Sequence, residues 1–496
     1  MKSSDLLSRL PSVGELLSNP QVKSVVDRLS ESAATRRVRG VLDELRGELT
    51  KRAGDLPSLG EVIDRVTRYI ARDDGWRLSG AINATGRLRG GPWATAPLAD
   101  AAIDRMLLLA KDFAAESSAA THPAHADATA ELLKLTGAEA AIVLHGRPAA
   151  LALLLAELAP RPPLVIARGE VGEVEPGCRF TDLCNAAGAR LHEVGSIDSV
   201  TVEDYTAALA AAARSGGDSA DGQRESNGGV VIRLAADSPA PAEPTARPST
   251  TQLAQAAHAH GALLVEDLAS GPLVDLPAAA GGAGDRPAPA IQGLQATSAG
   301  AALAAGADLV LLRGDGLVGG PAVCIVLGRS ELIDRLGRQT LAAAVRAAPF
   351  SAAALAATLK LLSDPAEALL QTPVLSLLST PLDNLRNRAE RLAPQIAQSP
   401  LVAAAEAMPL PAGSTAAAGL PVRTDSFAIA LTPAAGSAQE MADRLRSGSP
   451  RVWGRVEGQR LLLDMRTVFP RQDLALVAAF PAEPGAKDDG GQGGDG

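Results

Sequence analysis

The sequence predicts an α/β protein, and three observations support this fold class. From about residue 80 onward, short apolar runs alternate with Ala- and Leu-rich stretches of helical length. Apolar strands that are separated by helices indicate a parallel sheet with both faces covered. Hydrophobic residues make up 46% and charged residues 21% of the 496 residues, an ordinary globular balance. Aromatic residues make up only 2%, so the core must consist of Ala, Leu and Val, which favours helices and parallel strands over a sandwich.

The predicted elements divide the chain into four regions. Residues 1–75 should be helical, because leucine and valine recur there at helical spacing. Six candidate buried strands follow, at 140–144, 163–167, 230–234, 262–267, 308–312 and 322–327. A helical stretch near 351–397 leads to a last α/β unit at about 400–480. We therefore expect an N-terminal helical domain at 1–75, a large α/β domain at 76–350, a small C-terminal α/β domain at 351–480 and a disordered tail at 481–496.

Charge and cysteine content narrow the class of protein. The formal net charge of −9 argues against a protein that coats nucleic acid non-specifically, so DNA is not an expected partner. Cys178, Cys184 and Cys324 show no CxxC spacing, which favours a reduced compartment. The start Met-Lys-Ser-Ser lacks the apolar segment of a signal peptide, and no apolar run is long enough to span a membrane. We expect a soluble, cytoplasmic protein.

Polar and glycine-rich segments follow two of the predicted strands. Asp267 closes the strand at 262–267, and a glycine-rich turn at 314–321 follows the strand at 308–312. Ligands of open parallel sheets bind beyond the carboxyl ends of the strands. Aminotransferase-like folds hold pyridoxal phosphate in this way: an aspartate pairs with the pyridinium nitrogen, and a lysine in the turn forms the Schiff base. Many α/β proteins have an aspartate at this position, so the spacing alone does not identify the ligand.

Motifs along the whole chain resemble those of the selenocysteine synthase (L-seryl-tRNA(Sec) selenium transferase) family. The family signature Ser-Gly-Asp-Lys-Leu-Leu-Gly-Gly-Pro is matched by Gly314-Asp315 and by Gly319-Gly320-Pro321. Its cofactor aspartate motif is matched by Asp267-Leu268 and Ser270-Gly271, with Ala269 in place of a glycine. Further matches, in chain order, are Leu10-Pro11-Ser12-Val13, Asn83-Ala84-Thr85-Gly86, Thr136-Gly137-Ala138-Glu139, Arg168-Gly169-Glu170, His192-Glu193-Val194-Gly195 and Leu463-Asp464-Met465-Arg466. Because the matches run from residue 10 to residue 466, the resemblance covers nearly the whole chain.

The resemblance implies a fold-type I pyridoxal-phosphate-dependent transferase (aminotransferase-like), with an N-terminal helical domain that grips tRNA(Sec). It also implies assembly as a homo-oligomer and pyridoxal 5'-phosphate as the cofactor. The residues at the family's cofactor-binding positions are Asp267, His145, Gly146, Arg147, Ser270 and Asp315, and those at its substrate-binding positions are Arg168, Glu170, Arg179 and Arg346. Simpler roles stay open for several of them: Asp267 as a strand cap, 145–148 as a solvated helix start, and Arg168 with Glu170 as a structural ion pair.

The position of the family's Schiff-base lysine is Gly316 in this chain. The chain has seven lysines, and none lies between Lys134 and Lys360, so no neighbour in the large domain can replace the missing one. The family's Asn-Asn-Asn-Ala-Ala run reads His145-Gly146-Arg147-Pro148-Ala149 here. We therefore expect no covalent cofactor attachment and no catalytic residue at the lysine position.

Three functions are compatible with these residues. The first, which we favour, is a catalytically degenerate paralogue that keeps the fold and the oligomer and binds tRNA(Sec) or an active homologue. The second is a working selenium transferase with noncovalent pyridoxal phosphate. The third is an enzyme or binder of another anionic small molecule, held by Arg147, His145 and Arg168. The segment 122–127 contains two histidines and an aspartate but has no third strong ligand set nearby, so no metal is expected.

Overall fold

The structure is a computed structural model that describes most of residues 80–480 and part of the chain before them. The chain forms two compact units, Met1–Ala81 and Ile82–Gly496. The described residues of the first unit are 10–19, 22–23, 35, 38–43, 45–46, 60, 62–63, 66 and 80–81. Between 80 and 480 the gaps are 94, 112, 114–122, 160–162, 216–227, 236–246, 278–289, 295 and 413–419. The predicted tail at 481–496 lies outside the described residues.

Helix α1, Val13–Ser18, begins the described part of the first unit. Its start is fixed by a reciprocal pair of hydrogen bonds: the Glu15 N–H donates to Ser12 Oγ at 3.2 Å, and the Ser12 N–H donates to the Glu15 carboxylate at 2.7 Å. Leu16 of this helix is buried in a cluster of aliphatic residues whose other members are Val22, Val38, Val41, Leu42, Leu45, Val62, Ile63 and Val66. The described residues therefore include an aliphatic core, as the leucine and valine spacing predicts.

A seven-stranded sheet organises the large part of the second unit. Its strands are β2 Ala140–Leu144, β3 Pro163–Ala167, β6 Arg190–Val194, β7 Val230–Leu234, β8 Leu263–Asp267, β9 Leu309–Arg313 and β10 Cys324–Gly328. They are arranged in the order β2-β10-β9-β8-β7-β3-β6. A separate small hairpin consists of β4, Glu173–Glu175, and β5, Cys178–Arg179. All six predicted strands are confirmed, with boundaries that shift by at most two residues.

The sheet departs from the predicted parallel arrangement at one strand. Strand β10 pairs antiparallel with both β9 and β2, whereas β9, β8, β7, β3 and β6 pair in parallel. The reason is the short connection between β9 and β10, which holds no helix. A parallel return requires a crossover of about a dozen residues or more, usually through a helix. Strand β6 was not among the predicted strands, because its residues are mostly polar and exposed.

Helices cover both faces of this sheet. On one face pack α3 Pro123–Thr136, α6 Val202–Ser215, α7 Thr250–Ala259, α8 Ala299–Ala304 and α11 Pro349–Leu362. On the other face pack α4 Arg147–Leu158, α5 Phe180–Ala187, α9 Ser330–Arg338 and α10 Thr340–Val345. Successive residues of β9 alternate between the two apolar layers: Leu309 and Leu311 belong to one, and Val310 and Leu312 to the other. This double burial explains why the central strands read as continuous apolar runs.

The remaining helices complete the second unit. Helix α2, Asp100–Lys111, packs against α11. The predicted helical stretch near 351–397 consists of α11 and three further helices, α12 Pro365–Gln371, α13 Pro373–Ser379 and α14 Leu382–Ile396. No helix among the described residues is both long and apolar enough to cross a bilayer.

A five-stranded sheet near the carboxyl end of the chain includes a strand from far earlier in the sequence. Its order is β1-β13-β14-β12-β11, where β1 is Ala81–Ala84, β11 is Val402–Leu410, β12 is Ser426–Pro433, β13 is Arg451–Glu457 and β14 is Arg460–Asp464. Helices α14, α15 (Ala438–Ser447) and α16 (Asp473–Ala478) accompany it and share its apolar core. The segments at 81–84 and 402–464 thus form one sheet.

Candidate functional site

The candidate site lies at one edge of the seven-stranded sheet, where several elements bring polar residues together. Asp267 ends β8 and Arg313 ends the parallel neighbour β9. Cys324 begins the antiparallel strand β10 and pairs with Arg313 in the register, so it lies at the same edge. At the end of β2, Gly146 is the N-cap of helix α4, whose first residue is Arg147. The edge is thus the carboxyl end of the parallel strands, as the sequence predicts.

Asp267 forms a buried ion pair with Arg147. The Arg147 Nε donates to Asp267 Oδ2 at 2.7 Å, and the exposed side-chain fractions of the two residues are 2% and 0%. Arg147 also donates to two backbone carbonyl oxygens, to Val174 at 3.0 Å and to Ala235 at 2.7 Å. The second carboxylate oxygen of Asp267 accepts from the Ala269 N–H at 2.9 Å. Both oxygens of the aspartate are therefore engaged by groups of this chain.

Four more charged residues continue this arrangement. Arg313 donates to both carboxylate oxygens of Asp315, at 3.0 and 3.3 Å, and forms a further close contact with the Glu175 carboxylate. Arg89 donates to Asp315 at 3.3 Å and to Glu175 at 3.3 Å. We call Arg89, Arg147, Glu175, Asp267, Arg313 and Asp315 the charge cluster. Its three guanidinium groups face three carboxylates, so its formal charge is balanced without any ligand.

The charge cluster is largely out of water, and this has electrostatic consequences. Asp315 is 4% exposed and Arg313 is 7% exposed. Burial lowers the pKa of Arg313, and the neighbouring Asp315 carboxylate opposes this effect. Burial likewise raises the pKa of the Cys324 thiol, which lies near the same charges. Removing one partner of such a buried pair costs about 3–5 kcal/mol, because a charge is left without compensation.

The turns that follow β8 and β9 approach each other closely at Gly316. A Cβ atom added to Gly316 would lie 2.6 Å from Ser270 Cα and 2.7 Å from the Ser270 carbonyl oxygen. The Leu317 N–H donates to that same oxygen at 3.0 Å, which ties the two turns together. Ala269, where the resembling motif has glycine, takes a left-handed φ of 48°. An L-residue in this region carries a strain of about 1 kcal/mol or more, so the turn keeps a conformation that suits glycine.

The other residues at predicted cofactor positions have varied surroundings. His145 is exposed, and its backbone N–H donates to the Val345 carbonyl at 2.7 Å. Ser270 is buried at 2% exposure, beside Gly316. Asp315 belongs to the charge cluster. Of the predicted cofactor residues, the structure therefore joins Arg147 to Asp267 directly and sets Asp315 in the same group of charges.

The structure places the predicted substrate residues in different surroundings. Arg168 is half-exposed and pairs with Glu193 at 3.1 Å. Arg179, in β5, and Arg346, after α10, are exposed. Glu170 is 2% exposed at its side chain, accepts from the Leu234 N–H at 3.2 Å and lies 3.7 Å from Arg247. Arg168 and Glu170 thus have different ion-pair partners rather than forming a pair with each other.

Glu170 belongs to a second buried group of charges beside β7 and β8. Arg233 lies 3.4 Å from Glu266, which is also buried. Burial raises the pKa of Glu170 to about 7, although Arg247 and Arg233 act in the opposite direction. Burial also raises the pKa of Glu266. A carboxyl group with this pKa changes its charge near neutral pH.

The Glu170→Gln variant is expected to lose part of the pH dependence of folding stability. Between the ordinary carboxyl pKa of 4.5 and about 7, folded Glu170 holds a proton that the unfolded chain releases. Stability from this group is therefore present at low pH and is lost as the pH rises towards 7. Glutamine resembles the protonated form and can still accept from the Leu234 N–H. Relative to the wild type, the variant should gain about 2 kcal/mol in the free energy of unfolding between pH 5 and pH 8.

Urea unfolding across this pH range would measure the effect. Glu193→Gln is the matched control, because Glu193 is a partly exposed partner of Arg168. Its substitution should change stability by no more than about 0.5 kcal/mol at any of these pH values. If the free energy of unfolding varied with pH in the same way for the wild type and for Glu170→Gln, the elevated pKa of Glu170 would be contradicted.

The segment at 122–127, whose two histidines and aspartate suggest metal ligands, makes other contacts in the described structure. His125 is buried, and its Nε2 lies 2.8 Å from the Ala347 carbonyl oxygen. Asp127 pairs with Arg105 at 3.2 Å, and His122 lies outside the described residues. Within the described ranges, no group of three or more His, Cys, Asp or Glu side chains could hold a metal ion.

Comparison with known proteins identifies relatives over nearly the whole length of the chain. Residues 82–215 and 242–469 match the family described as L-seryl-tRNA selenium transferase, and residues 7–46 match a domain described as selenocysteine synthase N terminal. The L-seryl-tRNA(Sec) selenium transferase of Moorella thermoacetica is 30% identical over 97% of this chain and 97% of the relative. The protein of that name from Hyphomonas neptunium is 30% identical over 96% of this chain and 98% of the relative.

Among solved structures, D-glucosaminate-6-phosphate ammonia-lyase has a similar fold. The TM-score is 0.55 at 16% sequence identity, covering 81% of this chain and 95% of that chain. At this identity the likeness concerns the fold alone. This likeness and the sheet covered by helices on both faces confirm the predicted α/β fold class.

Proposed function

Because the chain belongs to the L-seryl-tRNA selenium transferase family, we propose that it is a catalytically degenerate member, which keeps the fold without the family's chemistry. The observation that carries the proposal is the contact between Gly316 and Ser270. A lysine at 316 would place its Cβ within 2.7 Å of two Ser270 backbone atoms, and backbone cannot move aside as a flexible side chain can. With no lysine between Lys134 and Lys360, strands β2 to β10 and the segments between them also offer no substitute.

The residues present fit pyridoxal phosphate poorly. This fold recognises the cofactor through an aspartate that pairs with the pyridinium nitrogen and a lysine that forms the Schiff base. Here the Asp267 carboxylate is already bonded to Arg147 and to the Ala269 N–H. The Gly316 position is closed by the Ser270 backbone. Both recognition contacts are thus taken up within the chain, so no reaction step is assigned to the cofactor.

Two observations bear on the partners of such a protein. The matches at 7–46, 82–215 and 242–469 cover most of the chain, and the Moorella thermoacetica relative, which aligns with 97% of it, is named for tRNA(Sec). We propose that the chain retains binding of tRNA(Sec) and assembles as a homo-oligomer or with an active homologue. A degenerate subunit would then act by holding tRNA or by regulating an active enzyme.

The alternatives receive less support from the described contacts. A transferase with noncovalent pyridoxal phosphate would need a free Asp267, whereas Arg147 holds it at 2.7 Å. A binder of another anion would need a free Arg147, whereas this guanidinium donates to three acceptors of the chain. Arg168, its proposed helper, pairs with Glu193.

A turnover assay tests the proposal directly. Purified protein would be incubated with L-seryl-tRNA(Sec), pyridoxal phosphate and selenophosphate, and the aminoacyl product would be identified by mass spectrometry. The Moorella thermoacetica relative would serve as the positive control. We expect no product from this chain, because loss of a positioned acid–base group alone costs about 10²–10⁴-fold in rate. Product formation above background would overturn the proposal.

The same samples would be reduced with borohydride, and the mass of the intact protein would be measured by mass spectrometry. The expected result is an unmodified mass for this chain and a pyridoxyl adduct for the positive control. A site-specific adduct on this chain would contradict the proposal and would identify the lysine that carries it. A filter-binding measurement with tRNA(Sec) tests the partner separately, since binding without turnover is the behaviour expected of a degenerate subunit.

A further inference from the structure

We propose that Arg147 occupies the position beside Asp267 that the pyridinium nitrogen of the cofactor would take. Its guanidinium then supplies the cation that this buried carboxylate needs. This inference goes beyond the proposed function, because it concerns what completes the folded site and holds whether or not tRNA binds. It rests on the disagreement between the residues of this site and the cofactor that the fold implies.

The geometry of Arg147 supports a permanent place at the sheet edge. Its side chain is 2% exposed and donates from Nε to Asp267 and from the two other nitrogens to the Val174 and Ala235 carbonyls. These acceptors come from three separate segments: the end of β8, strand β4 and the residue after β7. A planar guanidinium has a fixed arrangement of donors, so three acceptors around it define one position. Arg147 thus ties these segments together.

The charge of the buried residues independently supports the assignment of Arg147 as the cation beside Asp267. A fully buried carboxylate such as Asp267 is costly unless a cation lies next to it. The guanidinium of arginine keeps its charge at any physiological pH, so Arg147 meets this need without a ligand. The rest of the charge cluster balances in the same way, since Arg89 and Arg313 face Glu175 and Asp315. Nothing in the cluster requires an added cation.

Two of these arginines stand where the resembling motifs have neutral residues. Arg147 falls in the run that reads Asn-Asn-Asn-Ala-Ala in the family, and Arg313 occupies the serine of Ser-Gly-Asp-Lys. The chain therefore lacks the lysine cation at Gly316 and carries two guanidinium cations nearby. The folded protein should be complete and stable without pyridoxal phosphate.

The test compares thermal unfolding of the full-length wild type and the Arg147→Ala variant, each with and without pyridoxal phosphate or ethylguanidinium. For the wild type we expect no visible absorbance band after free pyridoxal phosphate is removed, and no change in Tm with either compound. Arg147→Ala should unfold at a Tm lower by roughly 5–10 °C, since a buried aspartate loses its partner. Ethylguanidinium, which has the same cationic group, should restore several degrees of that loss. A wild-type Tm that rises with pyridoxal phosphate would overturn the inference without any turnover measurement.

A double-mutant cycle keeps the inference testable if Arg147→Ala fails to fold. Arg147→Met and Asp267→Leu each leave one buried charge alone, whereas the double variant removes both charges. We expect the double variant to lose less in Tm than either single variant, because the two residues form one unit. Additive losses would mean that Arg147 and Asp267 are not paired in solution and would refute the assignment. The proposed function is judged separately by turnover.

Discussion

Gly316→Ala is expected to lower the free energy of unfolding by about 2–4 kcal/mol, although it adds a single methyl group. The added Cβ would lie 2.6 Å from Ser270 Cα, closer than real Cβ atoms approach other heavy atoms. The neighbour is backbone, held by the Leu317 N–H on the Ser270 carbonyl and by the Gly271 N–H on the Leu268 carbonyl. Relief would therefore require both turns to move. Urea unfolding followed by circular dichroism measures the loss.

Gly337→Ala provides the matched control for this substitution. Gly337 lies in helix α9, and a Cβ added there meets no atom within 4 Å. Alanine is favoured over glycine in a helix by about 0.5–1 kcal/mol, so the control should be as stable as the wild type or more stable. If Gly316→Ala matched Gly337→Ala in stability, the two turns would not be in contact in solution. A lysine introduced at 316 would then also be acceptable, and the basis of the proposed function would be lost.

Arg466→Met should destabilise the protein by about 3–5 kcal/mol. Arg466 is 4% exposed and donates to four backbone carbonyl oxygens, those of Leu377, Leu378, Thr380 and Asp425. The first three lie at the end of helix α13, where carbonyl groups lack partners within the helix. Methionine fills a similar volume but donates no hydrogen bond, so these carbonyls and the buried Asp464 carboxyl would be left without the guanidinium. The loss should appear as a lower urea midpoint.

Arg460→Met is the control for Arg466→Met. Arg460 begins strand β14, which ends two residues before Arg466, and its half-exposed side chain lies 3.7 Å from the exposed Glu406. Its replacement should change the free energy of unfolding by less than about 0.5–1 kcal/mol. Equal effects of the two substitutions would show that the carbonyl contacts of Arg466 contribute little to stability.

The sequence predicted the sheet and its functional edge because both depend on local patterns. The central strands are buried on both faces, so they appear as uninterrupted apolar runs, and Asp267 marks the end of one of them. The antiparallel direction of β10 could also have been predicted, since ten residues without a helix separate it from β9. Strand β6 gave no such signal, because its side chains are largely polar and solvent-exposed.

The partners within the charge cluster could not be predicted in the same way. Arg147 and Asp267 are 120 positions apart, and Arg89 and Asp315 are 226 positions apart. Which buried cation meets which carboxylate depends on the tertiary fold rather than on spacing. One signal was present: Arg313 closes an otherwise apolar strand, and a charged residue at such a place usually has a partner. The steric need for glycine at 316 depends likewise on Ser270, which only the folded turns bring near.

The place of β1 in the five-stranded sheet bears on the order in which the chain folds during synthesis. Strand β1 neighbours β13, so its pairing closes a loop of about 370 residues and must come late compared with local contacts. During synthesis, β1 emerges long before β13 exists, and its edge stays open while the seven-stranded sheet forms. Ribosome-bound fragments that end before residue 451 should therefore be prone to aggregation and protease cleavage near residue 84. The full-length chain protects this site as soon as its last strands are released.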